Sequence, residues 1–118
     1  LICIPFSAYA ALPTTIIKSC YDGDTCTTTD GEKIRLACID TPELKGKRAD
    51  PIPAEKARDF LNNLLINEEV SIRRITKDRY GRTVAELFNG NINIQKLLVD
   101  KGYGQIYKKY SNQCEWSK

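Results

Sequence analysis

Three short segments carry side chains whose types suit a single chemistry. One is the acidic turn Asp22-Gly23-Asp24-Thr25. Another is Asp40-Thr41-Pro42-Glu43, directly after the apolar run that leads from Arg35 to Ile39. The third is Asp78-Arg79-Tyr80-Gly81-Arg82, a basic connection holding one aromatic ring. Asp24, Asp40 and the backbone carbonyl of Thr41 are the oxygen donors that a hard cation such as Ca2+ takes, and so small a set leaves positions open for a phosphate oxygen and a water. Asp22, placed before a glycine, reads as a turn former. Arg35 and Arg82 bring two guanidinium forks, which match a phosphodiester and stabilise charge that builds on its oxygens. Glu43, two residues past Thr41, is placed to take a proton from a metal-bound water. The acidic turn is not an EF-hand, because no glutamate stands at the twelfth position of a loop starting at Asp22 or Asp24.

Each of these residues also has a plainer reading. Arg35 could be a structural partner of Asp24 or Asp40, Arg82 a solvated turn charge, and Glu43 an ordinary loop glutamate. One geometric condition separates the readings. Arg35 and Asp40 are five residues apart and would face opposite ways on a regular strand. They converge only if the strand ends or bulges near Ile39, and Pro42 makes such an ending reasonable.

Composition narrows the chemistry further. The chain has no histidine, so His-based triads, His-zinc sites and imidazole acid-base work are excluded. The net charge of +3 permits a polyanionic partner without demanding one. With 118 residues and 42% hydrophobic content, the chain suits one globular domain with a modest core.

The elements that must position these groups can be read in order. Ile16–Tyr21, Cys26–Thr29 and Lys33–Ile39 read as three strands of a meander, with Asp30-Gly31 as a hairpin turn. Residues 40–52 read as a loop with a basic cluster at Lys45, Lys47 and Arg48. Pro53 suits the first turn of a helix, in which Ala54, Ala57, Phe60, Leu61, Leu64 and Leu65 recur at helical spacing. Val70–Ile75 and Thr83–Phe88 read as two more strands. Asn93 caps a second helix that Gly102 stops, and Tyr103–Lys118 shows no clear element. The expected fold is mainly β with helices (α+β). It is a five-stranded Greek-key barrel of the OB type, with one helix between strands 3 and 4 and a second after strand 5.

Residues 1–12 are uncharged and mostly apolar, and Ser7-Ala8-Tyr9-Ala10-Ala11 fits a cleavage site after Ala10. They read as the remnant of a signal peptide, with a buried N-terminal strand as the alternative; the domain then runs from 13 to 118 and the protein is secreted or periplasmic. Cys3 would leave with that segment. Cys20, Cys26, Cys38 and Cys114 remain, an even set that points to disulfides. Their pairing stays open at this level, and a bridge from Cys26 to Cys38 across the hairpin is one possibility.

The three segments, with Ile34-Arg35-Leu36 leading into Ile39-Asp40-Thr41-Pro42-Glu43, resemble the staphylococcal nuclease (thermonuclease) family in order and approximate spacing. The likeness runs from about Ile16 to Tyr110. It implies an OB-fold and Ca2+-dependent endonucleolytic cleavage of DNA and RNA to 3′-phosphate products. The expected protein is a monomer with no stable membrane association after signal cleavage. Carried over by position, it implies Asp24, Asp40 and the Thr41 carbonyl as metal ligands. Arg35 and Arg82 resemble the catalytic arginines, and Glu43 the general base. Tyr80, Arg79 and Tyr110 resemble substrate contacts. The resemblance also implies a long third helix, and Lys118 falls about where that helix would begin, which reads either as a chain cut before it or as a domain stabilised differently. Two other readings compete. One is an inactive OB module that binds nucleic acid; the other is a disulfide-bonded domain that binds a protein or glycan.

Overall fold

The computed structural model describes residues 12–118, so the expected signal-peptide remnant, apart from Leu12, lies outside the described residues. Five strands carry the fold: β1 (Thr14–Asp22), β2 (Thr25–Thr28), β3 (Lys33–Leu36), β5 (Glu69–Lys77) and β6 (Thr83–Asn89). Three two-residue strands join them: β4 (Ile39–Asp40), β7 (Ile92–Asn93) and β8 (Gln105–Ile106). The helices are α1 (Pro51–Leu65), between β4 and β5, and α2 (Ile94–Asp100), after β7.

The main sheet runs β3-β2-β1-β5-β6-β7, and β3 also pairs in parallel with β6. In that pairing Ile34, Arg35 and Leu36 face Thr83, Val84 and Ala85. The circuit of pairings among the five longer strands therefore returns on itself, the curled α+β arrangement expected of an OB-fold. Such a circuit leaves few strand edges open to other chains.

The sequence explains the core. Ile34 and Leu36 point inward from β3 while Lys33 and Arg35 point outward. In β1 the inward residues Ile17 and Cys20 are three apart, because the β1–β2 register shifts between Ile17 and Ser19. α1 lays Ala54, Ala57, Leu61 and Leu65 on this core as its spacing predicts, with Phe60 and Leu64 half-buried beside them. Asn62 fixes the helix to the irregular strand: its Oδ1 accepts from the Cys20 N–H at 2.7 Å and its Nδ2 donates to the Cys20 carbonyl at 3.0 Å. The helix begins at Pro51 rather than Pro53, since neither proline needs the amide that the first turn leaves unpaired. Asn93 caps α2 as expected, its side chain accepting from the Lys96 N–H.

Three expectations need correction. The strand read as Lys33–Ile39 is broken: β3 ends at Leu36, Ala37-Cys38 turns, and β4 begins at Ile39. Cys38 takes a left-handed φ of 69°, a conformation that sequence patterning gives no reason to expect of a cysteine. The bridges are Cys20–Cys26 and Cys38–Cys114, not Cys26–Cys38. Cys26 lies directly opposite Cys20 across β1–β2, which settles its partner. The tail is also structured. β8 pairs with β4, and two 3-10 turns, Lys108–Gln113 and Glu115–Ser117, follow.

Candidate active site

All nine of the expected site residues line one groove of about 1330 Å³. They come from the β1–β2 turn, β3, β4 and the segment after it, the β5–β6 connection and the C-terminal segment. The condition on Arg35 and Asp40 is met by the Ala37-Cys38 turn. It interrupts the strand between them and lets both face the groove.

The acidic end is built tightly. The Asp24 N–H donates to Asp22 Oδ1 at 3.1 Å, so the turn folds around its own first carboxylate. The backbone of Asp24 accepts from the Leu36 N–H at 2.8 Å, which ties the turn to the end of β3. Its Oδ2 accepts from the Thr41 N–H at 3.3 Å, across the groove floor. Gly23 is required here by space. A Cβ there would lie 2.8 Å from the Ala57 Cβ and 2.9 Å from Thr41 Oγ1. Gly104 presses on the other side of the same residue, where a Cβ would lie 2.9 Å from Thr41 Cγ2. Thr41 is thus clamped between two glycine backbones. Its hydroxyl is buried without a hydrogen-bond partner.

Two carboxylates crowd each other at this end. Asp22 has its carboxyl pushed up to about 6, first by burial and then by repulsion from Asp24. Buried Asp24 and exposed Asp40 are the carboxylates that could hold a hard ion, and the Arg35 guanidinium 3.4 Å from Asp24 shares that end. Among the described residues, no three acidic, thiol or imidazole side chains gather closely enough to chelate a metal alone. A cation held here would complete its shell with the Thr41 carbonyl, water and substrate.

The two arginines are held by different means. Arg35 donates through Nη1 to the Leu36 carbonyl at 2.6 Å and through Nη2 to the Ile39 carbonyl at 3.0 Å. It also sits 3.4 Å from Asp24 Oδ2. The structural ion pair weighed as an alternative therefore exists, and the same guanidinium lines the groove. Arg82 donates through Nε to Asp78 Oδ2 at 2.7 Å and through Nη1 to Thr25 Oγ1 at 3.3 Å. Asp78 Oδ1 meanwhile accepts from the N–H groups of Tyr80 and Arg82. Burial alone would raise the Asp78 carboxyl, but the Arg82 amide, the Arg82 guanidinium and the Tyr80 amide together hold it below its ordinary value.

Glu43 is exposed, and its carboxylate accepts no hydrogen bond among the described residues. Its backbone carbonyl accepts from the Asp50 N–H at 2.9 Å, closing the loop that precedes α1. Tyr80 and Tyr110 expose broad ring surface, 67% and 43% of each residue. The Arg79 and Arg82 guanidiniums lie 4.9 and 5.4 Å from the Tyr80 ring centre, and the Lys109 ammonium lies 5.3 Å from that of Tyr110.

Sequence reading gave no site role to Asp22, Gly23, Asp78 or Gly104. The sequence reads Asp22 as a turn former, and Asp78 could have been found the same way, with Gly81 close behind. Gly104 left no signal, because its reason lies in Thr41, sixty-three residues away.

Comparison with known proteins agrees with this geometry. Residues 33–118 match the family described as staphylococcal nuclease homologue. The chain is 37% identical over 95 residues to an uncharacterized endonuclease of Haemophilus influenzae, covering 77% of this chain and 51% of that protein. It is 30% identical over 87 residues to a staphylococcal-like nuclease of Arabidopsis thaliana, covering 73% and 25%. It is 39% identical over 86 residues to a probable endonuclease of Leptosphaeria maculans, covering 66% and 28%. A mainly β, curled sheet with a groove of this make-up defines the class, and the chain belongs to the staphylococcal nuclease homologue family. It spans about half the length, or less, of these curated relatives.

Proposed function

We propose that this domain is a Ca2+-dependent endonuclease that hydrolyses phosphodiester bonds of DNA and RNA and leaves 3′-phosphate ends. The observation that carries the reading is the meeting of Asp24, Arg35, Asp40, Thr41, Glu43 and Arg82 in one groove, from segments far apart in the chain. Relatives that bear the name endonuclease support it.

Asp24, Asp40 and the Thr41 carbonyl would hold the cation, which supplies charge neutralisation at the phosphate and a more acidic bound water. The remaining work belongs to the chain. Arg35 and Arg82 grip the phosphate and stabilise the extra charge of the transition state. Asp78 keeps the Arg82 fork aimed, and Glu43 takes a proton from the attacking water. Tyr80 and Tyr110 offer faces to bases, while Arg79 draws in the backbone. The enzyme we propose is a monomer. Two disulfides support an oxidising compartment, outside the cell or in the periplasm.

Plasmid DNA and a structured RNA incubated with Ca2+ or with a chelator test the reading. Degradation of both only with Ca2+, with 3′-phosphate ends on the products, is expected. Retention without degradation would instead mark a binding module, and absence of both effects would remove nucleic acid as the partner.

A further inference from the structure

A second, smaller pocket of about 340 Å³ opens beside the groove, lined by Lys33, Tyr80 and Arg82. The groove and this pocket share Tyr80 and Arg82, so the two cavities meet at the exposed ring and the guanidinium beside it. We propose that this pocket is an additional nucleotide subsite, in which Lys33 binds the phosphate next to the one held by Arg35 and Arg82. The inference rests on the nuclease reading and extends it to the length of substrate the protein grips.

Three observations carry it. First, Lys33 and Arg35 stand two residues apart on β3, both outward while Ile34 and Leu36 point in. That spacing is about 6.8 Å along a strand, comparable to the step between neighbouring phosphates of an extended single strand. Second, the path between them is polar. Arg35 pairs with Thr25 and Lys33 with Thr27 across β2–β3, and Arg82 donates to the Thr25 hydroxyl. Third, Lys33 is exposed and joins no salt bridge among the described residues. Its neighbour Glu32 is already engaged by Arg74 and the Thr83 hydroxyl, which leaves the lysine free to meet an anion. A nucleic acid strand whose scissile phosphate lies against Arg82 would pass Tyr80 and lay its next phosphate on Lys33. The ring beside that path offers a face for the intervening base.

The test compares a dinucleotide, whose single phosphodiester cannot reach Lys33, with an octanucleotide, both single-stranded DNA, in the full chain and in Lys33→Gln, Lys33→Arg and Lys56→Gln. Lys56 is exposed on α1 and lines neither cavity, so it controls for net charge. In Lys33→Gln, the ratio of kcat/KM for the long substrate over the short one should fall about fivefold. Lys33→Arg should keep that ratio, and Lys56→Gln should leave it alone. With a chelator present, anisotropy of the labelled octanucleotide gives a second readout. The slope of log affinity against log salt should shrink by about 0.7 in Lys33→Gln, the share of one phosphate contact on a single strand. An unchanged ratio and slope in Lys33→Gln, or equal losses in Lys56→Gln, would reduce Lys33 to a solvated lysine and overturn the subsite alone. Cleavage of neither length by the unaltered chain would overturn the nuclease reading, and the subsite with it.

Discussion

Thr41 shows how much of the groove depends on single atoms. Its amide reaches Asp24, and its side chain is enclosed by backbone at Gly23 and Gly104. Gly23→Ala inserts a methyl where only about 2.8 Å is available against Ala57. The turn must then move away from Thr41 and carry Asp24 with it. Overpacking of this kind costs about 1–3 kcal/mol, and the same shift should raise the calcium needed for half-maximal cleavage. Urea denaturation together with a calcium titration checks both, and normal values in each would mean that the turn yields without cost. Arg35 offers a sharper separation of roles, since its guanidinium bonds two carbonyls, pairs with Asp24 and faces the groove. In Arg35→Lys a single ammonium cannot satisfy the fork. Stability should fall by about 1 kcal/mol, whereas kcat at saturating calcium should fall roughly hundredfold or more. A loss of activity no larger than the loss of folded protein would assign Arg35 to structure alone.

At the scale of elements, the Cys38–Cys114 bridge and the β4–β8 pairing grip the C-terminal segment at both ends. Ile39 and Asp40 pair with Ile106 and Gln105, the Tyr107 N–H donates to the Cys38 carbonyl at 2.9 Å, and Cys114 closes the span. Tyr110 and Lys109 lie between these anchors. The bridge spans 76 residues and Cys20–Cys26 only 6, so loop-closure entropy assigns them roughly 4.5 and 2.2 kcal/mol. Cys38→Ala/Cys114→Ala should therefore lower Tm more than Cys20→Ala/Cys26→Ala. It should also raise KM for oligonucleotides by loosening the Tyr110 segment; equal Tm losses with unchanged KM would deny it that second role. This bridge also explains what was hidden in the sequence. The α1 stripe, the Asn93 cap and the Asp30-Gly31 hairpin were legible because each is decided by neighbours a few residues away. The break at Cys38 was not, because its left-handed backbone is held by a partner in the tail. Glu86 was likewise read only as a strand position. It is buried, and accepts from Arg73, Asn93 and Trp116, three donors brought in by three other parts of the chain. A second pair joins β5 to the β2–β3 hairpin: Arg74 donates twice to Glu32, at 2.9 and 2.7 Å. That grip draws the Glu32 carboxyl from 4.5 down to about 2. A carboxyl depressed on folding contributes stability that is whole above about pH 4.5 and lost as pH falls towards 2. Arg74 is largely exposed, so screening limits the gain to about 1 kcal/mol. Glu32→Gln should remove that part of the acid slope in urea titrations, and an unaltered slope would leave the pair without weight.

Across the whole molecule, charge is distributed by depth rather than by excess. The net charge of +3 is small, yet the groove alone is lined by six acidic and seven basic side chains. Asp24 is buried and Asp22 half-buried, with Arg35 beside them, while Lys45, Arg48, Lys77, Arg79 and Lys109 are exposed. Without a cation the groove balance is close to neutral, and a polyanion meets both attraction and an acidic floor. A divalent ion bound at that floor changes the balance from about +1 to about +3, in a cleft whose walls limit screening. Cation and substrate should therefore bind with positive coupling, each raising the affinity of the other by the same factor. Asp40→Asn, which keeps the shape of an exposed side chain and removes one of the carboxylates proposed to hold the ion, separates this coupling from catalysis. In the unaltered chain a non-hydrolysable oligonucleotide should bind about tenfold more tightly with Ca2+ than with a chelator, a coupling of ~1.4 kcal/mol. In Asp40→Asn, affinity without the ion should rise, because a repulsive charge is gone, and the gain from Ca2+ should shrink. Calorimetry in both orders of addition measures the coupling directly. Equal oligonucleotide affinity with and without Ca2+ would mean that the acidic floor does not bind the ion that draws the substrate in.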